Sequence, residues 1–243
     1  MTSSQTLAIS LGQWSGAGRK AENQDFYGAV IPTGADLALK GITVAVADGI
    51  SSSTKGREAA EIAVTGLLTD YYSTSDAATV NPAASSVIAA TNGWMHSKSR
   101  AAHVEDIDHG WVATLSALIL KAGQAHIFNI GDSRVWRVSG RSLEQLTTDH
   151  RVPDGAGRGH LSRAMGAAAQ VDIDYITTPV AVGDVFLLTT DGVHLATDGT
   201  RLADILAQYA DLNAAAKALG QAAFDLGSDD NLTVQIVRID ALP

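Results

Sequence analysis

Short apolar runs broken by turn residues open the chain. Residues 7–14, 26–31 and 42–47 are rich in β-branched side chains and bounded by Gly, Pro or Asp, which predicts strands. Across residues 55–72 the period becomes helical, with Ala59, Ile62, Ala63, Leu67 and Leu68 on one face. Pro82 suits the first turn of a second helix that runs to about Arg100. Two consecutive amphipathic helices predict an antiparallel pair. Strands resume over 112–121, 125–130 and 134–138, a meander with turns at Ala122-Gly123-Gln124 and Ser139-Gly140. Pro153, Gly155, Gly157 and Gly159 make 151–159 an irregular loop. Residues 184–190 read as a buried strand, 201–209 and 212–226 as a second helix pair, and 232–239 as a closing strand.

The order is therefore strands, helix pair, strands, helix pair, strand. Crossovers of a parallel sheet need one helix per strand, so paired helices exclude that arrangement. Two packed antiparallel sheets fit, with a helix pair outside each. The expected fold class is α+β, a four-layer α-β-β-α sandwich. No internal repeat and no interdomain linker interrupts the pattern, which predicts a single domain over 1–243.

Composition narrows the chemistry. Hydrophobic residues are 46% of the 243, enough for a sizeable core. A net charge of -9 is the wrong sign for tracking a phosphate backbone, so nucleic acid is not an expected partner. Cysteine is absent, which removes thiolate nucleophiles and leaves oxygen or imidazole as metal ligands. No basic residue precedes Arg19, so no secretory leader is predicted. The longest apolar stretch, 111–120, contains Thr114 and Ser116 and is too short to span a bilayer. A cytoplasmic protein without a membrane partner is expected. Among the histidines, His96, His103 and His109 lack metal spacing, and His150 reads as a turn and packing residue. Trp14, Trp94, Trp111 and Trp136 are expected in strands or helices, as core.

Four aspartates change the picture. Asp48 and Asp191 each end a strongly apolar run before Gly, Asp132 follows Ile130-Gly131, and Asp230 precedes the final strand. A carboxylate at the end of a buried strand needs a cation, a donor or water. Any one Asp-Gly pair is a turn signal. Four such strand ends together can hold hard divalent cations, and two ions about 3.5–4 Å apart suit transfer of a phosphoryl group to water.

Six segments in this order and spacing resemble the type 2C protein serine/threonine phosphatases, over nearly the whole chain. They are Ala21-Glu22-Asn23-Gln24-Asp25, Val46-Ala47-Asp48-Gly49, Gly131-Asp132-Ser133-Arg134, Leu146-Thr147-Thr148-Asp149-His150, Leu188-Thr189-Thr190-Asp191-Gly192 and Asp229-Asp230-Asn231. The run Ala47-Asp48-Gly49-Ile50-Ser51-Ser52-Ser53 is similar to the phosphatase half of bacterial phosphatase–kinase fusions, though this chain has no room for a kinase. The resemblance implies that Asp48 bridges two metals, that Asp191 and Asp230 hold the first, and that the Gly49 carbonyl holds the second. It implies a supporting role for Asp25, through metal-bound water, and a weaker third ion on Asp132 with Asp191. Mn2+ or Mg2+ would serve, with a metal-bridged water as nucleophile. The implied partners are phosphoserine and phosphothreonine proteins, substrates of a cognate kinase in the sense the fusions indicate.

Departures from that family's pattern carry expectations of their own. Gln24 stands where many members have Glu, which weakens the second metal. Ile50 stands where animal members have a histidine acid, so the leaving group takes its proton from water or another residue. Ser51 and Ser52 replace a glycine pair. The phosphate-binding cation is Lys20 or its neighbour Arg19, with spacing favouring Lys20. A short loop after His150 implies an open site. Two rival readings use the same residues: a non-catalytic binding module on this fold, and a hydrolase of small phosphoesters.

Overall fold

A computed structural model describes residues 6–102, 109–140, 142–153 and 159–243. The chain begins with β1 (Ala8–Gly16), β2 (Asp25–Val30), a short helix α1 (Gly34–Lys40) and β3 (Ile42–Asp48). Helices α2 (Gly56–Asp70) and α3 (Val80–Ala101) come next, then β4 (Leu115–Lys121), β5 (Gln124–Ile130), β6 (Arg134–Ser139) and β7 (Ser142–Gln145). Two-residue strands β8 (Arg151–Val152) and β9 (His160–Leu161) precede β10 (Asp174–Pro179) and β11 (Val185–Thr189). The chain ends with α4 (Asp191–His194), α5 (Gly199–Leu206), α6 (Leu212–Asp225) and β12 (Leu232–Ala241).

The large sheets are five-stranded, β1-β12-β11-β6-β7 and β10-β5-β4-β3-β2. Their strand pairs are antiparallel. Side chains alternate along a strand, so a strand covered on both faces is apolar throughout. In β3, Val44 and Val46 point between the sheets, where Leu118, Ile127, Phe186, Leu188 and Val237 also pack. Ala45 and Ala47 face the other way, against Ala59, Ala63 and Leu67 of α2 and Ile88 and Met95 of α3. On the other sheet, Leu187, Val234 and Ile236 carry Leu202 of α5 and Ala216 and Leu219 of α6. This is the α-β-β-α order that the helix pairing predicts. Leu118 is fully buried between the sheets, so truncating it to Ala costs about 2–5 kcal/mol.

Several elements differ from the sequence-based expectation. Helix α1 and strands β7 and β10 are absent from it. Each is short, and each carries polar or exposed residues that blur its period. Residues 112–114 are not part of β4; Ala113 instead makes isolated bridges to Gly49 and Met165. The hairpin between β4 and β5 turns on Ala122 and Gly123 alone, both at positive φ (51° and 73°), and Gln124 is already in the strand. The loop expected over 151–159 begins as a strand, because Arg151 and Val152 pair with Leu161 and His160. Gly155, Gly157 and His103 lie outside the described residues. Trp111 and Trp136 are buried, though Trp111 lies in neither helix nor strand. Trp94 is 52% exposed on α3, contrary to its expected place in the core.

Candidate metal centre

The antiparallel register brings the acids to one end of the sandwich. Asp25 begins β2, Asp48 ends β3, and the two are direct partners across the ladder. Asp191 follows β11 and Asp230 precedes β12, and those strands are also antiparallel neighbours. Asp132 sits in the turn between β5 and β6. The glycines beside the acids serve close packing. Neither Gly49 nor Gly192 has positive φ. A Cβ on Gly49 would lie 2.1 Å from the Gly56 carbonyl oxygen, and one on Gly192 would lie 2.0 Å from that of Asn231. Gly131 does need its freedom: its φ is +104°, and a Cβ there would meet Thr114 at 2.6 Å.

Each carboxylate is held by the fold. The backbone of Asp48 is locked to Thr114, whose Oγ1 accepts from the Asp48 N–H at 2.9 Å and whose N–H donates to the Asp48 carbonyl at 2.8 Å. Asp25 is buried, and its Oδ2 accepts from Thr190 Oγ1 at 2.8 Å and Thr233 Oγ1 at 2.7 Å. Thr233 lies in β12 of the opposite sheet and Thr190 directly follows β11, so Asp25 ties the two layers together at the cleft. Burial pushes its carboxyl up to about 7, against the two hydroxyl bonds and with help from Asp191 and Asp230. Burial also raises Asp191 to about 6, with Asp132 and Asp230 adding to it. Asp48 lies well above the carboxylate range, through burial first and then Asp25, Asp191, Asp132 and Asp230. Asp132 is raised by burial as well, and Arg151 opposes the shift.

The basic residues divide clearly. Arg19 donates to the carbonyls of Ser228 and Phe224, both at 3.1 Å, and its guanidinium lies 4.4 Å from the Phe224 ring centre. It is bound to the end of α6. Lys20 turns to the acids instead, with Nζ 3.1 Å from Asp230 Oδ1 and 3.4 Å from Ser51 Oγ. Arg151 reaches between two acids: Nε donates to Asp132 Oδ2, and Nη2 donates to Asp191 Oδ2 at 2.6 Å. Gln24, at the position of the family's Glu, uses its Nε2 on the Ser53 carbonyl at 2.7 Å. His96 Nδ1 sits 3.4 Å from the Gly166 carbonyl, away from the acids.

A cavity of about 220 Å³ is lined by Asp48, Gly49, Thr114, Asp132, Asp191 and Asp230, with Arg151 and Ile50 at its wall. A second, of about 440 Å³, adjoins it along Asp191 and Asp230 and is faced by Leu195, Leu226 and Gly227. Two buried carboxylate oxygens, Asp25 Oδ1 and Asp191 Oδ1, have no hydrogen-bond partner. Orphaned anionic oxygens among like charges are what a divalent cation and its waters satisfy, so the donor set fits hard cations. Among the described residues, no three acidic or imidazole groups yet close around one point. Lys20 and Arg151 instead stand among the carboxylates as counter-charges.

Sequence reasoning missed several contributors. Thr190 and Thr233 hold Asp25, and Thr114 holds Asp48. Asn231 pins the Lys20 loop, accepting from Gln24 N–H at 2.8 Å and donating to the carbonyls of Ala17 and Glu22, each at 2.9 Å. Thr190 and Asn231 do lie inside matched segments, but a polar residue beside an acid gives no hint of which carboxylate it holds. Arg151 gave no signal at all.

Comparison with known proteins points the same way. The model of the family described as protein phosphatase 2C matches residues 15–225. The serine/threonine phosphatase stp of Listeria monocytogenes serotype 4b is 29% identical over 213 residues, covering 81% of this chain and 84% of that protein. The structure of serine/threonine phosphatase Stp1 from Staphylococcus aureus superposes with a TM-score of 0.82 at 18% identity, covering 97% of each chain. The catalytic domain of serine threonine protein phosphatase PstP, solved with 2 manganese ions, gives 0.73 at 21% identity, with 97% of this chain and 100% of that one covered.

Proposed function

The chain belongs to the protein phosphatase 2C family, and from that premise we propose that its acidic cleft hydrolyses phosphoserine and phosphothreonine in proteins, using two divalent cations. The observation that carries this reading is the pair of orphaned oxygens, Asp25 Oδ1 and Asp191 Oδ1, buried among further carboxylates at one end of both sheets. Bound Mn2+ or Mg2+ would supply Lewis acidity and make a water acidic enough to attack phosphorus. Asp48, Asp191 and Asp230 would hold the ions, with the Gly49 carbonyl. Asp48 is central in this reading because Thr114 fixes its backbone on both sides. Asp25 keeps one oxygen on its two threonines and the other open, so it can orient a water or accept its proton.

Lys20, which reaches Asp230 at the cleft, is the one of the two cations placed to meet a phosphate, since Arg19 is committed to carbonyls at the end of α6. Ile50 offers no proton, so the departing serine or threonine oxygen takes one from water or from Lys20. The 440 Å³ trough along Asp191 and Asp230 leaves room for residues flanking the phosphorylated one, which favours a polypeptide over a small ester. We place the protein in cytoplasmic signalling, opposite a serine/threonine kinase; no described helix is long and apolar enough to cross a membrane.

The deciding assay follows phosphate release from phosphoserine and phosphothreonine proteins with Mn2+, with Mg2+ and with excess chelator. Activity that needs the metal and returns on its addition is expected. Full activity in chelator sinks the two-ion reading. Tight metal binding without turnover on any phosphoprotein or small ester returns the fold to a binding module.

A further inference from the structure

Asp132 is only 2% exposed, and a carboxylate that enclosed cannot stay ionised without a counter-charge. Its counter-charge is already part of the chain. Arg151 gives one N–H to Asp132 and another to Asp191, spanning the two acids with one planar fork. The contact is built into the backbone, because the residue before Arg151 is clamped to the turn that carries Asp132. His150 N–H donates to the Gly131 carbonyl at 3.0 Å, and Gly131 N–H donates to His150 Nδ1 at 3.0 Å. With Nδ1 accepting, the ring proton sits on Nε2 and goes to Asp174 Oδ2 at 3.0 Å. Arg163 Nη1 donates to the other oxygen of Asp174 at 2.6 Å, completing the brace. On the far side, Arg151 pairs with Leu161 across the short ribbon. Both ends of the Arg151–Asp132 contact are thus fixed.

We propose that the Arg151 guanidinium is a resident cation that takes the place of a third metal ion on Asp132 and Asp191. The proposal rests on the reading of the cleft as a two-ion centre. A guanidinium and a divalent cation compete for the same carboxylate oxygens, and each repels the other at this range. Arg151 takes Oδ2 of Asp191 and leaves Oδ1 without a partner, so the first ion keeps a ligand while the third position stays closed. Asp132 would then be a structural anion of the cleft and not a ligand.

The test counts ions directly, by equilibrium dialysis against Mn2+ with free ion read from its paramagnetic resonance signal. Wild type should bind two Mn2+ per chain. Arg151→Gln should bind a third, more weakly, and adding Asp132→Asn to it should return the count to two. In the wild-type background, Asp132→Asn alone should leave the count at two, an arm that stands even if Arg151→Gln fails to fold. Three ions on wild type, loss of one with Asp132→Asn alone, or an unaltered isotherm in a folded Arg151→Gln protein would each overturn the proposal. If no protein binds Mn2+ at all, the two-ion reading itself has failed and the arginine replaces nothing.

Discussion

Two groups of aspartates in this sequence have opposite fates in the fold. Asp149 receives the fork of Arg134, at 2.8 and 2.7 Å, and Asp184 receives Arg137 at 2.6 Å and the Ala181 N–H at 2.8 Å. Asp174 is shared by His150 and Arg163, whose bonds hold its carboxyl below the usual range despite some burial. The cleft aspartates are under-neutralised. Burial pushes Asp25, Asp48, Asp132 and Asp191 upward, repulsion among the cleft acids adds to it for Asp25, Asp48 and Asp191, and Lys20 and Arg151 stand among them as cations. Like charges gathered in a buried place cost stability, and a fold keeps such a cost where something outside the chain offsets it. The paired acids hold the structure together, while Asp25, Asp48 and Asp191 are left short of counter-charge.

Asp48→Asn should separate the two roles most sharply. Turnover should fall by about 10²-fold or more, since the amide cannot hold a cation as the carboxylate does. The same change removes one charge from the repelling set, so the metal-free protein should unfold at higher denaturant than wild type. Steady-state kinetics with saturating Mn2+ and a chelator-treated unfolding curve check both halves. An active variant, or one destabilised without metal, would return Asp48 to an ordinary turn residue.

Much of this contrast was legible in the sequence and part of it was not. The apolar runs ending in Asp48 and Asp191 marked strand ends, because a buried strand can place a carboxylate only at its rim. The sandwich followed from helices that come in pairs. Short edge elements were not legible: β10 carries Asp174, Tyr175 and two threonines, a mixture that mimics a loop until its pairing with β5 is seen. Nor was the division of labour between Arg19 and Lys20, which depends on the end of α6, more than two hundred residues away by sequence. Arg151 was invisible for a similar reason. A two-residue strand has no period to read, and its partners come from three different segments.

The next effect is in stability against pH. Asp25 and Asp191 rise from 3.8 to about 7 and about 6 in the folded protein. Between those values the folded state holds more protons than the unfolded state. As far as these groups are concerned, the metal-free protein should therefore be most stable below about pH 4, and lose stability as pH rises from there through 7. Each tenfold change in proton affinity between the two states is worth about 1.4 kcal/mol, so the loss should amount to a few kcal/mol. Bound Mn2+ compensates the ionised carboxylates and should flatten the slope. Denaturant unfolding at pH 5 and 7.5, with chelator and with Mn2+, measures it. A metal-free stability that climbs over this interval contradicts the picture of an under-neutralised cleft.

A smaller effect is expected when the paired region is attacked. Asp149→Asn leaves Arg134 without its fork and should destabilise the protein by about 1–3 kcal/mol. Turnover at saturating metal should stay within about twofold, because Asp149 does not line either cavity. A variant that keeps its stability and loses turnover would place Asp149 with the cleft acids after all.

The finest division is between neighbours in one loop. Lys20 faces Asp230 across 3.1 Å, and Arg19 is tied to Ser228 and Phe224. If Lys20 meets the phosphate, Lys20→Ala should raise KM for a small phosphoester by about tenfold, the worth of one bond to a charged group. It should also leave Mn2+ affinity unchanged or slightly tighter, since Asp230 loses a competing ammonium. Arg19→Ala has a different signature. Its KM should hold steady while stability falls by about 1 kcal/mol, because the end of α6 is deprived of two carbonyl bonds and of the guanidinium against the Phe224 ring. Lys20→Arg restores the charge with a fork and should recover most of the KM. Kinetics and unfolding on the same three proteins keep the two residues apart. A raised KM in Arg19→Ala with an unmoved Lys20→Ala would reverse their roles, and would mean that the loop pinned by Asn231 shifts when substrate binds.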